Sequence, residues 1–370
     1  MERIKAINKR KRKRAKNSRL IILGIAAAII IIFGSWLIMH RTVVSSGVFT
    51  TRTDLPFYST EKFLSNSKVI AYQKGNSIKG IDSKAKELFS IDNVSDEAKM
   101  YLSEKNVAYF VKNSYYVYDL TGKEISRYET EDTIYDIRLA DEYVAFVKAD
   151  ASGNTFLNLN DFKQGQLFSI PIDTNNLLDF GVISSSATVW TSVIDTSIQT
   201  PLCIFTAYSS SKNSRTSVIN IAEQLLEKII VNSDKVYAIG TSNLVTYDIT
   251  GKKEQTYLTY GWKVTDSMFV GAKPYFVLIP RTDGAITSVR IRHSDSSEYT
   301  FTLQEECNKV IIGNERIYAF NENRVFYTDL KGENIKKTDT PFKIRDVYSV
   351  FDGTYVIADN GNSFTLLSLK

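Results

Sequence analysis

The chain has 370 residues, 43% hydrophobic and 24% charged, with only two cysteines and two histidines. Cys203 and Cys307 are too few and too far apart for a disulfide framework and read as small buried hydrophobes. The net charge of +5 belongs to residues 1–19, with ten Lys/Arg against Glu2; the rest holds 36 basic and 40 acidic residues, a balance of −4 that excludes a nucleic-acid footprint on the body.

Leu20 to Met39, LIILGIAAAIIIIFGSWLIM, is 20 residues without a charge. At helical rise it spans about 30 Å, the thickness of a bilayer's hydrocarbon core. Trp36 suits the interfacial belt, and the basic RIKAINKRKRKRAKNSR before the run contrasts with HRTVVSSG after it. The positive-inside rule therefore places the N-terminus in the cytoplasm and the chain beyond about His40 outside. The apolar run exceeds the roughly 7–15 residues of a cleaved signal, and neither an A-x-A site nor a nearby cysteine follows. The expectation is a basic tail (1–19), an uncleaved transmembrane signal anchor (20–39), a linker (40–46) and an extracytoplasmic body (47–370). KRKRKR abutting such a span is a topology determinant rather than a nucleic-acid patch.

The body is repetitive. NVAYFVKNSYYVYDLTGKEISRY (106–128), KVYAIGTSNLVTYDITGKKEQTY (235–257) and RIYAFNENRVFYTDLKGENIKKT (316–338) share one pattern. Alternating runs rich in Val, Tyr, Ile and Thr, broken by Asp/Gly turns, predict antiparallel meanders. Val69, Val107, Val144, Val189, Val236, Phe276, Ile317 and Tyr355 mark eight units of roughly 41 residues, the length of a four-stranded propeller blade. An all-β, eight-bladed β-propeller follows, with seven blades as the alternative. AEQLLEKII (222–230) has helical composition, but Ile229, Ile230 and Val231 fall where the other units have their innermost strand, which predicts strand. The last unit lacks one strand, and GVFTTRT (47–53) has no place in the first. Open edges invite aggregation and ring closure removes them, so residues 47–53 are expected to complete the last blade.

The turn before each fourth strand recurs as Asp119-Leu-Thr-Gly122, Asp248-Ile-Thr-Gly251 and Asp329-Leu-Lys-Gly332, with looser versions at Asp82 and Asp161. Asp accepts backbone N–H bonds at the first turn position, and Gly at the fourth tolerates positive φ. Hairpin chemistry repeated once per blade explains these carboxylates better than a metal ring does.

The Asp-x-Thr-Gly-Lys turn after an aromatic-rich strand resembles the quinoprotein-like eight-bladed propellers, which include outer-membrane assembly scaffolds and quinone-dependent alcohol dehydrogenases. Where those families carry a docking tryptophan, this chain has EISRY, KEQTY and NIKKT, with Tyr128 and Tyr257 as the nearest counterparts. The layout of basic tail, single span and Tyr-rich propeller resembles an uncharacterised Gram-positive family of membrane-anchored propellers, a resemblance that implies no activity.

Catalytic constellations are not legible. His40 and His293 stand apart from any partner cluster, and no Gly-rich phosphate loop, CxxC or HExxH occurs. Glu305-Glu306 and Glu129/Glu131/Asp132 fall in polar connections. No enzyme, cofactor or metal is expected. Function is expected on the connecting loops, where Thr259-Tyr260-Gly261-Trp262 and Ile279-Pro280-Arg281-Thr282-Asp283 are the most distinctive. Tyr260, Trp262, Arg281 and Asp283 are the candidate partner-binding residues, since Tyr, Trp and Arg dominate interface hot spots. Trp262 also suits packing between blades. Asp195–Pro201 and Ser209–Arg215 read as tolerated polar loops. The leading expectation is a scaffold for another envelope protein, and the alternative is a ligand- or glycan-binding sensory domain.

Overall fold

A computed structural model describes residues 49–58, 61–197, 202–212, 214–222, 224–232, 234–282, 284–350 and 355–369. The expected tail, span and linker lie outside these residues, as does Asp283. Among the described residues no helix is long and apolar enough to cross a membrane.

The described residues form eight four-stranded antiparallel sheets. Seven are consecutive meanders: blades 1 to 7 run over 63–92, 99–129, 133–171, 177–221, 226–258, 262–307 and 309–339. Blade 8 takes three strands from 346–369 and its outermost strand from Phe49–Asp54. That strand pairs antiparallel with Phe364–Leu369, Phe49 opposite Leu369 and Asp54 opposite Thr365. The count is eight rather than seven, and the closing strand is the expected one, beginning and ending slightly later. Leu226–Asn232, which overlaps the stretch of helical composition, is the inner strand of blade 5.

Each blade buries both faces, and the alternation of a strand divides its side chains between two neighbours. Val107 and Tyr109 pack against blade 1 with Val69, Ile78 and Phe89. Ala108 and Phe110, one residue out of phase, pack against blade 3 with Val144 and Phe146. Both registers are apolar, so the second strands read as continuous hydrophobic runs. Eight apolar clusters result among the described residues, one at each seam between successive blades. The cluster joining blade 8 to blade 1 holds Ile357 and Leu366 against Ile70 and Ile81, capped by Phe57. Each fully buried Val, Leu, Ile or Phe contributes about 1.5–3 kcal/mol, so every seam has a comparable reason to close.

The recurrent turns behave as hairpin punctuation. Asp119 Oδ1 accepts from the amides of Thr121 (2.9 Å) and Lys123 (3.0 Å), and Gly122 takes φ of +85°. Asp248 repeats this with Thr250 and Lys252, and Asp329 with Lys331 and Glu333. Tyr128 packs against Tyr115 and Phe146, with ring centroids 5.5 and 5.1 Å away. Tyr257 lies in the cluster between blades 5 and 6. Both tyrosines thus dock fourth strands into seams. Cys203 and Cys307 are free and buried.

Candidate functional site

The loops that enter each inner strand and those joining second to third strands meet at one end of the ring. Backbone bonds tie them together: Val94 N to Asn76 O (2.8 Å), Thr130 N to Asn113 O (3.1 Å), Thr259 N to Ser242 O (2.8 Å) and Thr340 N to Asn323 O (2.8 Å). This end is the loop face, and the Asp/Gly turns occupy the opposite end.

The sequence-predicted residues gather on the loop face at the lip of blades 5 and 6. Trp262 is half-buried, packed into the seam between those blades, with the Arg290 guanidinium 4.2 Å from its ring centroid. Its packing role is therefore real. Arg281 makes a two-pronged ion pair with Glu227, its second contact at 2.9 Å, and donates to the Trp262 carbonyl at 3.3 Å. The Arg281 amide donates to Gly261 O at 2.8 Å. Three of the four candidates are thus brought together, but Arg281 and Trp262 are engaged within the chain. Tyr260 alone projects, at 80% exposure.

Two residues beside it were not singled out from sequence. Leu258 is 70% exposed and Leu225 54%. Thr241 N donates to Leu225 O (2.9 Å), while Thr259 N binds the adjacent Ser242 O, so one turn brackets both leucines. Gln224 fixes this arrangement by accepting the Asn243 amide at 2.8 Å. It lies so close to Gly240 that a Cβ there would stand 2.3 Å from its amide carbon. Leu258 occupies an outward position of an alternating strand, the one signal that could have marked it.

A second feature surrounds the channel. At the inner-strand position paired three residues beyond Val69, Val107, Val144, Val189, Val236, Pro274, Ile317 and Val356 stand Phe63, Lys99, Asp136, Asp179, Lys228, Asp266, Lys309 and Asp346. Seven of the eight are charged, of mixed sign. Each Asp accepts the amide of the next residue: Ile137 at 3.0 Å, Phe180 at 2.8 Å, Ser267 at 2.8 Å and Val347 at 2.7 Å. Each also reaches a neighbouring blade. Tyr101 of blade 2 donates to Asp136, Arg138 of blade 3 to Asp179 at 2.9 Å, and the Ile312 amide of blade 7 to Asp266 at 2.9 Å. Lys309 stands 3.7 Å from Asp346. The ring therefore stitches adjacent blades by charge-assisted hydrogen bonds. Burial pushes the Asp266 carboxyl up, only partly offset by the Ile312 and Ser267 amides and by Lys228 and Lys309. Three of the four aspartates precede an apolar residue, but Asp266 precedes Ser267, so the sequence offers only a partial signal for the set.

The inner strands of blades 1, 6, 7 and 8 line an open cavity of about 480 Å³ in the channel, with Phe63, Leu64 and Tyr348 beside Asp266 and Lys309. Among the described residues no group of three His, Cys, Asp or Glu is placed to hold a metal ion.

No family model matches the chain, and no curated protein matches its sequence. Solved structures match in fold. The WD40 domain of SCAP from fission yeast aligns with a TM-score of 0.55 at 10% identity, covering 86% of this chain and 98% of that one. The C-terminal WD40 domain of Sif2 aligns at 0.56 and 10% identity, over 88% and 100%. BamB from Moraxella catarrhalis, a quinoprotein-like propeller, aligns at 0.51 and 10% identity, over 87% and 99%. At such identity the likeness is one of architecture.

Proposed function

We propose that this protein is a non-enzymatic interaction scaffold, held outside the cytoplasmic membrane by the span Leu20–Met39, whose blade 5–6 lip docks another envelope protein. The observation that carries the reading is the lip. Leu225, Leu258 and Tyr260 are three large side chains, each more than half exposed, at a strand end and adjoining loops locked by Gln224 and by the Arg281–Glu227 pair. Apolar surface held rigidly in water gains on burial by a partner, without a large ordering cost.

Membrane placement rests on the uncharged run and its basic flank. The layout also resembles the Gram-positive family of anchored propellers. The non-enzymatic reading is supported by how the ring carboxylates are used, each satisfied by a backbone amide and tied to a neighbouring blade. If the anchor is as proposed, the short linker keeps the propeller near the bilayer, which favours partners in membrane complexes.

A second reading, a sensory domain for a small ligand or wall glycan, draws support from the channel cavity, where Phe63 and Tyr348 offer aromatic faces beside Asp266 and Lys309. Affinity purification of the intact protein after crosslinking tests the primary reading. An envelope protein recovered with the wild type and lost with Leu225→Asp/Leu258→Asp supports it. Equal recovery with both shows that the lip is not the docking surface.

A further inference from the structure

The ring has a second opening into its loop face, at blades 3 and 4. Both inner strands carry a bulge there, between Ile134 and Asp136 and between Leu177 and Asp179. A bulge adds a residue that the partner strand does not match and re-aims its side chain. The bulge residues Tyr135 and Leu178 are 51% and 48% exposed. They flank a notch of about 310 Å³ whose walls include Val147, Leu177 and Phe180, enough for one aromatic or branched side chain.

The charge around the notch is predominantly negative. Residues 129–139 and 171–183 hold Glu129, Glu131, Asp132, Asp136, Asp173 and Asp179 against a single base, Arg138. Arg138 is spent on two of them, 2.6 Å from Asp136 and 2.9 Å from Asp179, with its guanidinium 4.6 Å from the Phe180 ring centroid. Lys148, from the second strand of blade 3, pairs with Asp132 at 2.8 Å. Glu129, Glu131 and Asp173 are exposed and make no ion pair among those described. Asp173 precedes Thr174, which lines the notch.

We propose that this notch docks a basic, extended segment of a partner protein, with one aromatic or branched side chain seated between Tyr135 and Leu178. Lysines or arginines on either side of the anchor reach Glu131 and Asp173. Complementary charge speeds encounter and sets register, while the buried side chain sets residence time. The inference goes beyond the lip of blades 5 and 6, because binding in the notch requires no contact there.

The test uses the full-length protein in detergent and a fluorescein-labelled peptide, acetyl-Lys-Lys-Leu-Phe-Lys-Lys-amide, followed by fluorescence anisotropy. Saturable binding is expected that weakens as salt rises. Replacing Leu-Phe by Ala-Ala in the peptide, or combining Tyr135→Ser with Leu178→Ser in the protein, is expected to weaken it at least about tenfold, the loss of roughly one buried apolar contact. The loop variant Asp173→Lys leaves the strands untouched and is expected to weaken binding and flatten its salt dependence. Tyr260→Ala is expected to bind as the wild type does. No binding to the wild type overturns the proposal, as does equal binding of the Ala-Ala peptide, which signals charge attraction alone. Undiminished binding by folded Tyr135→Ser/Leu178→Ser protein overturns it too. Partner capture that Leu225→Asp/Leu258→Asp leaves unchanged, with peptide binding intact, would strike the scaffold reading at the lip and leave this one standing.

Discussion

Thr365 Oγ1 donates to Asp54 Oδ1 at 3.0 Å, joining residues 311 positions apart in the chain. Thr365 is wholly buried, and the contact sits where the first described strand completes the last blade. The ring is therefore shut by the strand Phe49–Asp54, which follows the expected anchor and linker. Thr365→Val keeps the shape and removes the bond, and should cost about 1 kcal/mol. Deleting residues 1–54 exposes the edge of Phe364–Leu369 and should cause self-association, since unpaired edges template pairing. Urea unfolding and analytical ultracentrifugation read the two outcomes.

A fully buried polar link between blades 2 and 3 should be dearer than that part-buried bond. Asn160 Nδ2 donates to the Tyr115 hydroxyl at 2.7 Å, with both residues buried. Burial pushes the Tyr115 hydroxyl's pKa up, partly offset by the Asn160 amide it accepts from. Tyr115→Phe strands the amide and should destabilise by about 1–3 kcal/mol, measurable by urea unfolding. Asn160→Leu combined with Tyr115→Phe should recover part of that loss.

The architecture was legible because the same physical constraint repeats. Val107 and Ala108 face opposite seams, so both registers of the strand had to be apolar, and the pattern returned once per blade. Asp119 and Asp248 could be read as turn residues for the same reason: each serves only atoms within its own turn. The channel aspartates were not legible. Asp136 and Asp179 look like ordinary polar positions on alternating strands until the ring closes and sets Arg138 between them. The lip was half legible. Tyr260 and Trp262 stood out by residue type, but only the bonds of Thr241 and Thr259 bring Leu225, more than thirty residues earlier in the chain, beside Leu258.

Two classes of aspartate should give opposite acid responses. Burial pushes the Asp119 carboxyl up, but the Thr121 hydroxyl and the Lys123 and Thr121 amides outweigh this and hold it below its ordinary value of 3.8. A depressed folded value stabilises above the unfolded one and loses that contribution as pH falls through the folded value. Asp248 behaves alike through the Thr250 hydroxyl and the Lys252 amide. Asp266, raised by burial, costs stability at neutral pH, a cost relieved as pH falls through its folded value. Asp119→Ala should therefore lower stability at pH 7 and shrink the loss of stability below pH 3.8. Asp266→Asn should flatten the curve above 3.8. Thermal melts across pH resolve both.

Membrane sidedness has a direct chemical reading. Cys203 and Cys307 are buried, and burial pushes the Cys307 thiol up to about 12, with Glu305 adding to the shift, so neither native thiol should react with a maleimide. A membrane-impermeant maleimide should label Tyr260→Cys in intact cells as fully as after lysis. Labelling only after lysis would place the propeller in the cytoplasm.

The claim that the lip of blades 5 and 6 is a docking surface is tested most directly by a photoreactive phenylalanine analogue at position 260 of the full-length protein in living cells. The same probe at Lys163, on the opposite turn face, serves as the comparison. The account predicts a discrete adduct with another envelope protein from position 260, lost with Leu225→Asp/Leu258→Asp and absent from position 163. Equal adducts from the two faces, or none from position 260 in folded protein at the membrane, would contradict it.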